Sequence, residues 1–372
     1  MKIKAAVLNG LHQPYEIEEL ELSEIRDDEV LVRIVASGMC HSDDVVRQGY
    51  TEYQMPIVLG HEGSGIIDKV GKNVVGYEPG DHVVISFAYC GHCDSCLTGL
   101  PASCDDWNHL NFHGKRKDDT PYLTKSDGTP VTRFFGQSSF STFAVVSPSS
   151  LTKVDKSVDL RLVGPFGCGF LTGSGTVFNG LRPEPGSTIA IFGTGAVGLA
   201  AMMAAKISGC TKVIAVDIHD HRLELAKELG ATHTINSKNA DVKEAILELT
   251  HGKGVNYSVD TTGVNAVVRN SIDVLAVGGS VAPVAAAREM EINTTNDFTM
   301  QNRNLVGARM GKAVPQLSIR QMVDFYKAGN FGFDKLAKFY TFDKINEAAE
   351  ESLSGKVIKP ILIMDETYAP EA

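Results

Sequence analysis

Four of the seven cysteines crowd into one short stretch. Cys90, Cys93, Cys96 and Cys104 have the spacing C-x2-C-x2-C-x7-C. Four thiolates so placed can wrap one tetrahedral Zn2+ and leave no position open, as a structural metal site requires. An iron–sulfur run also begins C-x2-C-x2-C, but it continues with a shorter step and a proline after the last cysteine. Here Asp105 follows Cys104. Met1 to Pro14 carries lysines but no apolar core, so the segment does not read as an export signal. The expectation is a cytoplasmic chain with reduced cysteines, which favours metal binding over disulfides.

Cys40, Cys168 and Cys210 remain. Cys40 opens Cys40-His41-Ser42-Asp43, and His61 lies within Gly60-His61-Glu62. A cysteine, a histidine and a second cysteine from separate loops would hold zinc with a fourth tetrahedral position open to a reactant. Each residue also has an ordinary reading as a buried thiol or a satisfied imidazole, and spacing alone does not unite them. Cys210 lies in a helical stretch and reads as packing.

A third constellation is Gly193-Thr194-Gly195-Ala196-Val197-Gly198, a G-x-G-x-x-G that follows a short apolar strand and opens a helix. The first glycine makes the turn, the second lets backbone approach a pyrophosphate, and the third lets helix and strand pack closely. The helix N-terminus adds free N–H groups and the positive end of a dipole. Asp217 ends the next strand, 19 residues after Gly198. A carboxylate there suits the two adenosine ribose hydroxyls and repels a 2′-phosphate, which predicts NAD rather than NADP. The plainer alternative is an Asp capping the next helix.

Elements must position these groups. Residues 1 to about 165 read as mostly β: Val30–Ala36, Val58–Val70, Asp81–Phe87 and Ser141–Ser147 are rich in β-branched residues and bounded by turn formers. Asp105–Arg133 is polar and reads as a long loop. From about 186 the rhythm is strand, helix, strand, with Thr188–Phe192, Leu199–Ser208, Lys212–Asp217 and Asp220–Leu229 in turn. A helical stripe at Val242, Ile246 and Leu249 and the strands Val255–Asp260, Val281–Val284 and Leu305–Met310 complete it. Alternating units predict an α/β fold with a doubly wound parallel sheet. The tail from Gln316 holds two amphipathic segments and the strand-like Ile361–Met364.

Composition narrows the classes. The chain has 372 residues, 43% hydrophobic and 22% charged, enough for two packed domains. The net charge of −10 is spread without blocks, so nothing invites nucleic acid or an anionic membrane. The longest uncharged run, Ser187 to Ala205, is broken by glycines into a strand and a helix and does not read as a membrane span.

Taken in order, these motifs resemble the zinc-containing medium-chain alcohol dehydrogenases over nearly the whole chain. Gly60-His61-Glu62-x2-Gly65-x5-Gly71-x2-Val74 fits that family's zinc signature. The four-cysteine lobe, Gly167-Cys168-Gly169, the Gly193–Gly198 turn and Asp217 then follow in the family's order. The resemblance implies a GroES-like β-rich catalytic domain at 1–169, completed by 311–372, and a Rossmann NAD-binding domain at 170–310. It implies two zincs per chain. Cys40, His61 and Cys168 would hold the catalytic one, with Glu62 behind it as alternative ligand or electrostatic partner. Asp43 would orient His61, and Ser42 would pass the substrate proton. His41 and Lys359 would meet the pyrophosphate, Thr172 the nicotinamide end and Arg222 the adenosine ribose, beside Gly193, Gly195, Val197, Gly198 and Asp217. A homo-oligomer, dimer or tetramer, is implied as well.

Two departures carry information. Val45 stands where many members have a proton-relay histidine, and an aliphatic group carries no proton. Cys168 stands where the family's polyol dehydrogenases have a carboxylate. With Gly164-Pro165-Phe166-Gly167-Cys168-Gly169-Phe170, these features most resemble the aryl (benzyl) alcohol branch. The implied reaction is oxidation of a primary, benzyl-type alcohol to its aldehyde, and the reverse, by hydride transfer to NAD. Phe87, Tyr89 and Phe112 are candidates for an apolar pocket wall. An alternative is a formaldehyde dehydrogenase acting on a thiol adduct, with Arg116 and Lys117 to take the adduct's carboxylate. A non-catalytic dinucleotide-binding relative would lack a zinc ligand, and none is missing.

Overall fold

The computed structural model describes residues 1–286 and 289–370. The chain divides into two compact units. The first comprises Met1–Cys168, Val314–Val323 and Asp334–Ala372; the second comprises Gly169–Ala313 and Asp324–Phe333.

The first unit is built on β1 (Val30–Gly38), a run of β-branched residues whose positions are nearly all buried. The chain leaves β1 into the short helix α1 (His41–Arg47) and returns as β2 (Glu62–Val70), antiparallel to β1. Further strands extend this to a seven-stranded sheet, which includes Lys359–Ile363 from the tail. Five other strands close a barrel: Lys2–Leu8, Glu16–Leu22, Leu123–Thr124, Pro130–Arg133 and Ile57–Val58.

Two expectations change here. The single strand expected over Val58–Val70 is broken between Val58 and Glu62. Gly60 there has φ +87°, and a Cβ on it would lie 2.5 Å from the backbone nitrogen of Phe140, so only glycine makes this turn. The stretch expected to be one loop, Asp105–Arg133, instead holds a helix at Trp107–Phe112 and two of the barrel strands. Its polar composition hid short strands whose pairing is entirely tertiary.

The second unit is a six-stranded parallel sheet. Its strand order is His233–Asn236, Lys212–Asp217, Thr188–Phe192, Val255–Asp260, Leu275–Pro283 and Asn304–Leu305. Numbered by sequence, that is 3-2-1-4-5-6, the doubly wound order whose ligands sit at the carboxyl ends of the strands. We call Thr188–Phe192 β3, Ala196–Ile207 α2 and Lys212–Asp217 β4. The sequence reading assigned all of 311–372 to the first unit. The structure gives 324–333 to the second, because Phe331 and Phe333 pack on Phe170 with ring centres 6.4 and 5.6 Å away. Among the described residues no helix is long and apolar enough to cross a membrane.

Candidate active site

α1 starts where β1 ends, and this junction organises the first metal-ligand set. Asp43, in the first turn, is 1% exposed. Its Oδ2 accepts the Cys40 N–H at 3.0 Å; its Oδ1 accepts the Gly60 N–H at 3.0 Å and faces His61 Nδ1 at 3.0 Å. One carboxylate thus ties the Cys40 backbone, the Gly60 turn and the imidazole ring. With Nδ1 turned to Asp43, the other ring nitrogen of His61 is buried and has no hydrogen-bond partner among the described residues. Such an orphan is costly unless something binds it. Ligand atoms of Cys40, His61 and Cys168 all lie within 4.8 Å of one another. Two thiols and an orphaned imidazole nitrogen fit zinc and leave a fourth tetrahedral position open. A hydrogen bond from Cys168, with the charges of His61 and Lys359, holds the Cys40 thiol well below its ordinary value, although burial opposes this.

Cys168 is placed by a turn pressed on the sheet. A Cβ at Gly167 would lie 2.0 Å from the Ile85 carbonyl oxygen, and Ser86 Oγ donates to the Gly167 carbonyl at 2.6 Å. Behind the set, Glu62 is fully buried and receives the Lys359 ammonium at 2.8 and 3.0 Å. Burial pushes the Glu62 carboxyl upward while Lys359 pulls it down. Lys359, expected at a pyrophosphate, is 3% exposed and also donates to the Met39 carbonyl at 3.0 Å. Here it is the counter-charge of Glu62, a role the sequence did not suggest, because β1 and the tail strand meet only in the fold.

Gln137 was also missed. Its Nε2 donates to the His61 carbonyl at 2.9 Å and its Oε1 accepts the Gly63 N–H at 3.2 Å, so it clamps the backbone around His61. No motif marks it. Phe134 and Phe135 lie 5.5 and 5.1 Å from the His61 ring. Together with Ser42, Val45, Tyr53 and Phe112 they line a cleft of about 560 Å3. Ser42 is exposed, its Oγ 3.8 Å from Cys40 Sγ. Of the aromatics expected in a pocket wall, Phe112 is there. Phe87 is fully buried against Trp107, and Tyr89 donates its hydroxyl to Gln316 at 3.0 Å.

The second set is local. The sulfurs of Cys90, Cys93, Cys96 and Cys104 lie within 4.8 Å of one another, with Cys90 and Cys96 at 3.9 Å. A tetrahedron with Zn–S bonds near 2.3 Å has edges of about 3.8 Å. The Cys90 N–H points at Cys104 Sγ (3.3 Å) and the Cys93 N–H at Cys90 Sγ (3.4 Å), which favours thiolates.

In the second unit, Gly193–Gly198 links β3 to α2. A Cβ at Gly198 would meet the Gly193 carbonyl oxygen at 1.9 Å, so helix and turn require that glycine. At Gly195 a Cβ would meet nothing within 4 Å. Packing does not demand glycine there, and the space over the helix N-terminus fits an approaching phosphate. Asp217 ends β4, 8% exposed. Its Oδ2 accepts from Thr194 N (2.7 Å) and Oγ1 (2.6 Å), and its Oδ1 from the N–H groups of Ile218 (2.7 Å) and His219 (3.0 Å). A carboxylate offers about four acceptor positions, so protein donors already engage them. Burial alone would raise the Asp217 carboxyl, but these bonds and the Arg222 charge bring it below its ordinary value. His41 is exposed at the start of α1, and Thr172 donates to Met310 Sδ at 3.8 Å.

Residues 26–156 match the alcohol dehydrogenase GroES-like domain and residues 196–328 the zinc-binding dehydrogenase domain. Geraniol dehydrogenase of Castellaniella defragrans is 40% identical over 363 residues, 97% of each chain. The chain belongs to the zinc-containing medium-chain alcohol dehydrogenases. This alcohol dehydrogenase is therefore an oxidoreductase with a GroES-like and a Rossmann domain, of a family that uses zinc and NAD(H). Two solved structures resemble it along its length. The Burkholderia ambifaria alcohol dehydrogenase zinc-binding domain protein is 44% identical with a TM-score of 0.96. The benzyl alcohol dehydrogenase of Acinetobacter calcoaceticus is 41% identical with a TM-score of 0.93, and in each case 98% of this chain and 100% of the other is covered. The enzyme stands near that benzyl alcohol branch.

Proposed function

We propose that this alcohol dehydrogenase oxidises primary alcohols whose carbinol carbon adjoins an sp2 carbon, benzyl-type alcohols first, and reduces the matching aldehydes. The observation that carries this reading is the aromatic cleft beside His61. Phe112, Phe134, Phe135 and Tyr53 suit a flat, apolar substrate by area and ring geometry. The relative named geraniol dehydrogenase favours a second reading, an allylic terpenoid alcohol in the same cleft.

Cys40, His61 and Cys168 would hold the catalytic zinc, and the four-cysteine lobe a second, structural one. Zinc supplies Lewis acidity, which eases loss of a hydroxyl proton, and NAD, when bound, accepts the hydride. The chain does the positioning. Asp43 fixes which imidazole nitrogen of His61 serves as ligand, and Gln137 and Gly60 fix where it points. Ser42 Oγ takes the substrate proton at the cleft wall. Val45 cannot pass it on, so solvent completes the transfer. Phe134 and Phe135 keep water from the apolar side. Gly193–Gly198 receives the pyrophosphate, joined by His41; Thr172 faces the nicotinamide end, and Asp217 with Arg222 the ribose. Asp217→Gly is expected to raise use of NADP; unchanged preference would contradict that assignment.

The thiol-adduct reading loses its basic residues. Arg116 is held by both oxygens of Glu29 at 2.7 Å, and Lys117 pairs with Asp106 at 3.2 Å. We further propose a homo-oligomer joined through the edge strand Asn304–Leu305, beside the exposed Val277 and Met300. All seven cysteines are unpaired, which suits the reducing cytoplasm.

The test is kcat/KM for benzyl alcohol, geraniol and ethanol with NAD, before and after a chelator. Preference for benzyl alcohol, lost with the metal, supports the proposal. Preference for geraniol selects the second reading, and preference for ethanol discards both.

A further inference from the structure

On the far side of the segment that forms the aromatic cleft lies a second cavity, of about 320 Å3. Phe134 and Phe135 face the cleft, whereas Arg133 and Gly136 line this cavity, and Lys115 lines both. The cavity wall carries more positive than negative charge. Glu29 is spent on Arg116, which it holds with both oxygens. Lys117 is spent on Asp106. Arg133 is different. The residue is 8% exposed, and the Glu29 charge reaches it, but no carboxylate lies within ion-pair distance of it among the described residues. Its Nη1 donates to the Val145 carbonyl at 2.9 Å, and its face lies 3.5 Å from the Tyr122 ring centre. Its Nε is buried without a hydrogen-bond partner. Lys115, half-buried, has no ion pair among the described residues either. Asp28, the other acid in the wall, is exposed.

Two buried guanidiniums, Arg116 and Arg133, thus share the single carboxylate of Glu29, with Lys115 beside them. Positive charge left unbalanced in a buried site is expensive, and the planar donor array of Arg133, with Nε unpartnered, matches an oxyanion better than any other ligand. The geometry points to a binding site for one small oxyanion, a phosphate or a carboxylate group, held by Arg133 and Lys115. The ring pair Phe134–Phe135 follows Arg133 directly in the chain and Lys115 reaches both spaces. Filling this site therefore changes the shape of the alcohol cleft, a consequence that rests on the reading of that cleft given above.

Two measurements on the zinc-loaded full chain test this separately. Inorganic phosphate and, in a second series, acetate are titrated by calorimetry at constant ionic strength into protein saturated with NAD, so that the glycine turn is already filled. One oxyanion per chain is expected to bind with a Kd of about 1 mM or tighter. Lys115→Gln is expected to weaken binding about tenfold, and Lys243→Gln, on the second unit, to leave it unchanged. Binding of phosphate alone identifies a phosphate ligand, and of acetate alone a carboxylate. Arg133→Met should abolish binding; if it fails to fold, Lys115→Gln carries the test. Absence of saturable heat with both anions, or equal affinity in Lys115→Gln, overturns the site. A benzyl alcohol KM that moves with phosphate supports the link to the cleft, and a flat KM overturns that link. The heat of binding does not depend on the alcohol reading at all.

Discussion

The two cysteine sets of this enzyme solve the same chemical problem in opposite ways. The lobe of Cys90, Cys93, Cys96 and Cys104 is a chelate written into one stretch of chain, with backbone N–H groups from the same turns aimed at its sulfurs. The set of Cys40, His61 and Cys168 is assembled from three places, and a buried carboxylate, Asp43, holds two of them in register. A local chelate needs only its own turns and can stabilise them. An assembled one needs the sheet first, and in return keeps a position open beside a shaped cleft. Loaded with zinc, the first would be a metal that serves the fold and the second a fold that serves the metal.

The strongest way to break this comparison is to remove one sulfur from each set. Cys40→Ser is expected to lower kcat/KM on the order of a thousandfold or more while circular dichroism stays that of the wild type. Cys96→Ser is expected to lower Tm by about 10 °C with one zinc lost per chain, while the folded fraction keeps kcat/KM within about twofold. If both variants lose activity and stability alike, the division of labour is wrong.

Asp43→Asn asks how far the assembled set depends on its organiser. It keeps the shape but weakens the hold on His61 and the Cys40 N–H. Zinc affinity or kcat/KM should fall about 10- to 100-fold. A loss below twofold would leave His61 positioned by Gln137 and the phenylalanines alone.

A metal-free tie across a similar sequence distance sharpens the contrast. Burial alone would raise the Glu29 carboxyl, but Arg116 and the Arg26 N–H bring it below its ordinary value near 4.5. A depressed carboxyl stabilises fully above that ordinary value, and the contribution is lost as pH falls through the lower folded value. Glu29→Gln leaves two guanidiniums without their shared acid and should cost about 3 kcal/mol at neutral pH. It should also flatten the acid limb of the stability curve in urea unfolding from pH 7 to 3. An unchanged acid limb would show that Glu29 does not set it.

The smallest expected effect lies in the second unit. Thr194→Val removes the hydroxyl bonded to Asp217 Oδ2 and frees an acceptor for a ribose hydroxyl. Calorimetry with ADP-ribose should show binding tighter by about twofold to threefold. Weaker binding would mean that the hydroxyl holds the carboxylate in place for the ribose.

Much of this molecule was legible without coordinates. The strand–glycine turn–helix around Gly193–Gly198 and the alternating elements after it are local patterns, and a doubly wound parallel sheet follows from right-handed crossovers between them, though not its strand order. The lobe was legible because all four ligands share one loop. Less was legible between 105 and 140. Its strands are two to four residues long and pair with Glu16–Leu22 and Ile57–Val58, so no periodicity could announce them. Phe134, Phe135 and Gln137 were hidden for the same reason, whereas Phe112 was not.

The sequence by itself determined which side chains could bind a metal and where backbone could approach a phosphate. Those are properties of residue type and short spacing. Tertiary structure alone decided that Lys359 would balance Glu62, that Thr194 would occupy Asp217, and that Arg133 would be buried with its Nε unpartnered. Each depends on partners at least 23 residues apart, or on a missing partner. Burial, which sets the cost of an unpaired charge, exists only once distant strands have closed around it.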